Sequence, residues 1–229
     1  MPSVNKINPD PHTWDRLFAN VGQLAVITTV DARGNVNAAS FATCVRVVHA
    51  PVHIAFTTSL YKDTYKNVQE TGQFTVNLPS FDRDVLEKVC VLGLTFDRGV
   101  NELEKAGLTS IPGLAVKPPR VVECHRHFEC EVVWTKEWEE KDMKVGRVTI
   151  VGNCVAASVD EDCVDERGYI VWDRVKPVQY CGAPYLKYHG EPYKHMFAAA
   201  YETMTVSTPY EGPEVAAHDK MVKNEDHFY

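Results

Sequence analysis

The chain has no Cys-x-x-Cys pair, and its seven cysteines are an odd number that cannot close internally into disulfides. Those absences point away from a disulfide framework and toward a reducing compartment. No apolar run approaches membrane-spanning length, and the opening "MPSVNKINPDPHTWDRL" has neither the basic start nor the apolar stretch of a signal peptide. The expectation is a soluble, cytoplasmic protein with no membrane partner. Basic residues are in the minority, with 24 Lys and Arg against 31 Asp and Glu and a formal net charge of −7. That balance argues against a general affinity for nucleic acid, though it permits a local basic pocket. Also lacking are internal repeats, low-complexity tracts and, in "CVLGLTFDRGVNELEKAG", any nucleotide-binding glycine fingerprint.

What is present suffices for a substantial core: 229 residues, 45% of them hydrophobic. Thr13 is placed to cap a short helix ending near Val21, with Gly22 as its stop. "QLAVITTVD" and "VNAASFATCVRVV", joined at 32–35, read as a hairpin, and "VHIAFTTS" is the next strand. A helix is expected over 60–70, followed by the strand "QFTVNLPS". From Asp82 to Gly107 the pattern turns helical, with Val85, Val89 and Leu92 on one side and Leu103 further on. "RVVECHRHFECEVVWTKEWEE" and "VGRVTIVGNCVAASVD" form a second, longer hairpin turning near Lys141-Asp142. An aromatic segment punctuated by Pro and Gly follows, then a final helix expected over 194–204 and a polar tail. Short strands with two inserted helices indicate a mainly β fold: a closed or half-closed antiparallel barrel of Greek-key type over residues 1–190, with a C-terminal extension over 191–229.

Three clusters invite a chemical reading. Consecutive strands usually pair, which brings "NAASFATC" beside "FTTSLYKDT". The small residues Ala38, Ala39, Ser40 and Ala42 would let a flat ligand approach the backbone; equally, they relieve crowding inside a barrel. Thr57, Thr58, Ser59, Lys62 and Thr64 surround the start of the 60–70 helix, where unpaired N–H groups and the helix dipole favour an anion. Ser59 as a plain N-cap beside a solvated Lys62 reads the same way. The third cluster, "CHRHFEC", invites a zinc reading, but strand alternation puts Cys124, Arg126, Phe128 and Cys130 on one face and His125, His127 and Glu129 on the other. Only His125 and His127 could share an ion there, with Glu123 or Glu129, and no metal is expected.

The order "NAASFATCVRVVHAPVHIAF", "YKDTYKNVQETGQFTVNLPS", "PPRVVECHRHFECEVV", "VGRVTIVGNCVAASVD" resembles the flavin-reductase-like family of FMN-binding split barrels, in particular its flavoredoxin and ferric-reductase branch. The resemblance covers roughly residues 20 to 190. It implies a homodimer with FMN near the subunit interface, the ring against the strand of Ala39, Ser40, Ala42 and Thr43, and the phosphate with Thr58, Ser59, Lys62 and Thr64. It further implies that Cys44 and His125 approach the flavin edge as catalytic candidates; the alternative is that Cys44 is a small buried hydrophobe and His125 an exposed strand residue. The implied activity takes hydride from NADH or NADPH and passes electrons to free flavin, a ferric chelate or a small organic acceptor. The alternatives are a flavin-binding electron carrier without its own pyridine-nucleotide activity and a metal-dependent barrel enzyme using His125 and His127.

Overall fold

The computed structural model describes residue 6 and residues 22–139, 145–181 and 197–199. Six long antiparallel strands make the barrel. They are β1 (Gln23–Val30), β2 (Val36–Val48), β3 (His53–Ser59), β4 (Gln73–Pro79), β7 (Cys124–Glu137) and β8 (Arg147–Val159). Hydrogen bonding runs β1-β2-β3-β8-β7-β4 and returns from β4 to β1, which closes the ring and removes the free edges. The short pair β5 (Ser110–Ile111) and β6 (Arg120–Val121) stands apart, while β9 (Val178–Tyr180) and β10 (Phe197–Ala199) extend the sheet beyond β1.

β1 shows why this sequence closes a barrel and still carries helices outside it. Its side chains alternate between two cores. Ala25 and Ile27 join Phe56, Phe74, Val76, Val148 and Ile150 inside the barrel. Leu24 and Val26 join Leu86, Val89, Leu92, Leu103 and Val178 on the outer side. The strand is therefore apolar almost throughout, as a doubly covered strand must be. In the inner core, Phe56 makes edge-to-face contacts with Phe41 and Phe74, each at 5.1 Å between centroids. Phe74 lies against the backbone of Gly152, where a Cβ would come within 2.5 Å of its ring.

α1 (Asp63–Thr71) is stopped by Gly72 in the left-handed region at φ 67°, whose N–H returns to the carbonyl of Val68. The helix begins three residues later than the sequence suggests, because the intervening residues form a turn. The N–H of Lys62 bonds to the carbonyl of Ser59 at 3.1 Å, and that of Leu60 to Gly146 at 3.1 Å. Lys62, in extended geometry, stands at the N-cap with no side-chain cap, so Ser59 is not the cap. The 82–107 segment divides into α2 (Arg83–Val91), capped by the Asp82 carboxylate, and α3 (Glu102–Ala106), capped by Asn101. Val89 and Leu92 are buried in the outer core as expected, Val85 packs partly buried against it, and Leu86 joins them. A 3-10 turn (Glu161–Cys163) and α4 (Trp172–Val175) follow β8.

Phe197–Ala199, expected in a helix, pair instead with β9, Phe197 opposite Tyr180. The rest of that expected helix, the 13–21 helix and the turn at Lys141-Asp142 fall outside the described residues. Among the described residues, no helix is long and apolar enough to cross a membrane.

Candidate functional site

A cleft of about 490 Å³ opens beside the barrel, between β2, the end of β3, the start of α1 and the 92–98 loop. Its floor is the stretch 37–43 of β2, where Ala38, Ala39 and Ala42 leave the backbone approachable. Ala39, Ser40, Ala42, Thr43, Thr58, Ser59, Lys62 and Thr64 all line this one cleft. The β2–β3 pairing explains why: the Thr57 N–H donates to the Thr43 hydroxyl at 3.2 Å, locking the two small-residue segments side by side.

One end of the cleft is built for an anion. Thr58, Ser59 and Thr64 are buried hydroxyls, and the N-terminus of α1 enters beside them without a side-chain cap. Arg147, the first residue of β8, is the register partner of Ser59 and donates from Nη1 to the Ser59 hydroxyl. Lys62 has its ammonium 5.5 Å from the ring centroid of Tyr61. Two cations, three hydroxyls and free helix N–H groups in one place match the geometry that holds phosphate. Arg147 was not legible in the sequence, because it reaches the cleft only through the β3–β8 register.

The opposite wall comes from the α2–α3 insertion. Arg98 donates to Asp63 at 3.2 Å and to Glu70 at 2.8 Å, which ties the 92–98 loop to α1. Glu102 reaches in from α3, and the Ala38 N–H donates to its Oε2 at 2.9 Å. Burial raises the Glu102 carboxyl above its ordinary value, with that hydrogen bond opposing the shift. A smaller hollow of about 270 Å³ shares Ser40, Phe41, Ala42 and Gly93 with the cleft and continues toward Tyr180 and Phe197.

The two catalytic candidates do not come to this site within the chain. Thr43 lines the cleft, and the next residue on the strand points the other way. Cys44 accordingly sits in the inner core, 5% exposed, and burial pushes its thiol up to about 12. His125 lies at the start of β7, where Nδ1 is 2.7 Å from Oδ2 of Asp160. Nor do His125 and His127 share an ion. Both His127 nitrogens are engaged, Nε2 donating to the carbonyl of Val121 at 2.9 Å and Nδ1 accepting from Ser158 at 3.1 Å. Burial lowers the His127 pKa, so the ring stays neutral. Glu129, on the same face, is completely buried. Burial alone would raise its pKa, but three N–H groups, from Leu114, Ala115 and Val116, together with Arg120, hold it below its ordinary value. The apparent metal face is thus a structural anchor for the 112–121 loop.

A closed six-stranded split barrel with a cleft of hydroxyls and cations on its flank defines the class of protein. Residues 19–182 match the flavin reductase like domain, and the chain belongs to that family. It is 37% identical over 131 residues to an uncharacterized protein of Aquifex aeolicus, a match spanning 57% of this chain and 63% of that protein's length. Nitrilotriacetate monooxygenase component B from Bacillus cereus shares the fold at a TM-score of 0.71 and 20% identity, over 90% of this chain and 98% of that one. Flavoredoxin of Desulfovibrio vulgaris (Miyazaki F) does so at 0.68 and 20%, with the same coverage.

Proposed function

We propose that this protein is an FMN-dependent oxidoreductase that takes hydride from NADH or NADPH and delivers electrons to a small acceptor: free flavin, a ferric chelate or a reducible organic molecule. The observation that carries the reading is the cleft's polarity. A floor of small residues, suited to a flat ring, leads to an end of hydroxyls and cations, suited to a phosphate. The donors present fit FMN: Thr58, Ser59, Thr64, Lys62 and Arg147 for the phosphate, and the backbone and hydroxyls of Ala39, Ser40, Ala42 and Thr43 for the ring. FMN supplies the redox chemistry, a ring that accepts and returns hydride. The protein's own residues bind, orient and exclude water. The β2 backbone along 39–43 would lie against the ring, and amides there would stabilise negative charge on it as fixed donors. The 92–98 loop would cover the ring's outer side, and the hollow beyond Gly93 would give donor and acceptor a path to it.

The functional unit in this reading is a homodimer. Val45 and Val47 of β2, each 49% exposed, lie on the same run of sheet as Val155 of β8 and Val133 of β7. Such an apolar surface seeks a partner, and a second copy of the chain is the one proposed. Anaerobic stopped-flow mixing with NADH and with NADPH tests the activity: rapid bleaching of the flavin absorbance by one of them is expected. Bleaching by dithionite but by neither nucleotide would make the protein an electron carrier instead.

A further inference from the structure

We propose a second site, outside the flavin cleft: a zinc-class divalent ion held by His125, Asp160 and Cys163. Their ligand atoms, one nitrogen, one carboxylate oxygen and one sulfur, lie within 4.8 Å of one another. They come from three places in the fold, the start of β7, the residue after β8 and the last residue of the 3-10 turn. The backbone fixes them there. The Asp160 N–H donates to the His125 carbonyl at 3.0 Å, the Cys163 N–H to the Asp160 carbonyl at 2.9 Å, and the Val171 N–H to the Cys163 carbonyl at 3.0 Å. Donors on a pinned backbone are preorganised for a ligand.

Cys163 supplies an independent observation. It is completely buried yet belongs to neither hydrophobic core, in contrast to Cys44, Cys124 and Cys130. The polar contact of its sulfur is a long 3.7 Å approach to Oδ1 of Asp162. A buried thiol whose sulfur lies within 4.8 Å of an imidazole nitrogen and a carboxylate oxygen is placed as a ligand. Metal–ligand bonds of about 2.0–2.3 Å in a tetrahedron require ligand atoms roughly 3.3–3.8 Å apart. The present His125–Asp160 hydrogen bond of 2.7 Å thus opens by about 1 Å or less on binding. The mixed N, S, O donor set selects a borderline ion such as Zn²⁺ over Mg²⁺ or Ca²⁺.

The charges permit it. The Asp160 carboxylate and the Cys163 thiolate, formed as the thiol releases its proton, cancel the ion's two positive charges. Around them stand Glu161, Asp162 and two arginines. Arg174 is 3.8 Å from Asp162, while Arg126, stacked 5.9 Å over the Trp172 ring with its Nε buried and unpaired, lies within electrostatic reach of Cys163 and favours the anionic sulfur there. Three protein ligands leave a fourth position to water, and the ion would clip the 160–171 loop to β7.

The test is a cobalt titration of the untagged full chain, isolated with its own cofactor and stripped of metal by a chelator, followed by difference spectra. One equivalent per chain should give an intense near-ultraviolet thiolate-to-cobalt band and visible bands of tetrahedral strength, both abolished by one equivalent of Zn²⁺. Cys163→Ala should remove the near-ultraviolet band. His125→Gln and Asp160→Asn should weaken binding by at least about a hundredfold, since loss of outer partners alone costs 10–100-fold. Cys154→Ala should change nothing. Circular dichroism checks folding of each variant, and the half-exposed His125 and Asp160 carry the test should Cys163→Ala misfold. A wild-type chain without the thiolate band, a band that survives Cys163→Ala, or unchanged affinity in both His125→Gln and Asp160→Asn would overturn the proposal.

Discussion

In the proposed function, Arg147 and Lys62 would divide the phosphate contacts between a planar fork and a point charge. Arg147 is pinned by its register opposite Ser59, so it is already aimed before a ligand arrives. Arg147→Met should therefore lower FMN affinity about tenfold to hundredfold, equivalent to the roughly 1.5–3 kcal/mol of a hydrogen bond to a charged group. Riboflavin, which lacks the phosphate, should bind wild type and variant equally; a fluorescence-quenching titration with both ligands checks this. Glu129 and His127 set the acid limit of the fold. Each has a folded pKa below its ordinary value, 4.5 for the carboxyl and 6.5 for the imidazole, so at low pH the unfolded chain binds more protons. Stability should begin to fall as pH drops through 6.5 and fall further as it drops below 4.5. Glu129→Gln should cost about 3 kcal/mol at neutral pH, because three N–H donors lose their anion, and should flatten the lower limb. Denaturant midpoints measured across pH show either outcome. Cys44→Ala should leave the cofactor bound and the rate of flavin reduction intact, since its thiol faces the core.

At the level of elements, β2, β3 and the mouth of α1 were legible because their signals are local. Small residues on a strand, hydroxyls before a helix and Gly72 after it each declare themselves within a few positions. What escaped the sequence depends on parity or on partners far along the chain. A single-residue alternation turns Cys44 into the core while Thr43 lines the cleft. Glu102 arrives from an insertion folded back over β2, and Glu129 reads as a possible metal ligand until the 112–121 loop covers it. Helix starts also shifted, because the Ser59–Lys62 turn consumed the residues expected to open α1. Two predictions belong to this scale. Gly152→Ala should destabilise the barrel by about 1–3 kcal/mol, since the added methyl meets the buried Phe74 ring and the Cβ of Cys130. Arg98→Ala removes partly exposed ion pairs and should change stability by less than about 1 kcal/mol. It should nonetheless make the 92–98 loop more sensitive to limited proteolysis, which a digestion time course would reveal.

For the whole molecule, the barrel is a frame that closes its own edges, carries the cleft on one flank and, in the proposed dimer, offers one sheet surface to a second copy. Light scattering should report twice the mass of a single chain at micromolar concentration. Val47→Lys should shift it toward the monomer, and a wild-type monomer would contradict the dimer. The central claim is that the cleft holds FMN through its phosphate. Titration of the deflavinated protein with FMN and with riboflavin, followed by quenching of flavin fluorescence, tests it most directly. The account predicts one FMN per chain, bound at least about tenfold more tightly than riboflavin; equal affinities, or no binding of either, would contradict it.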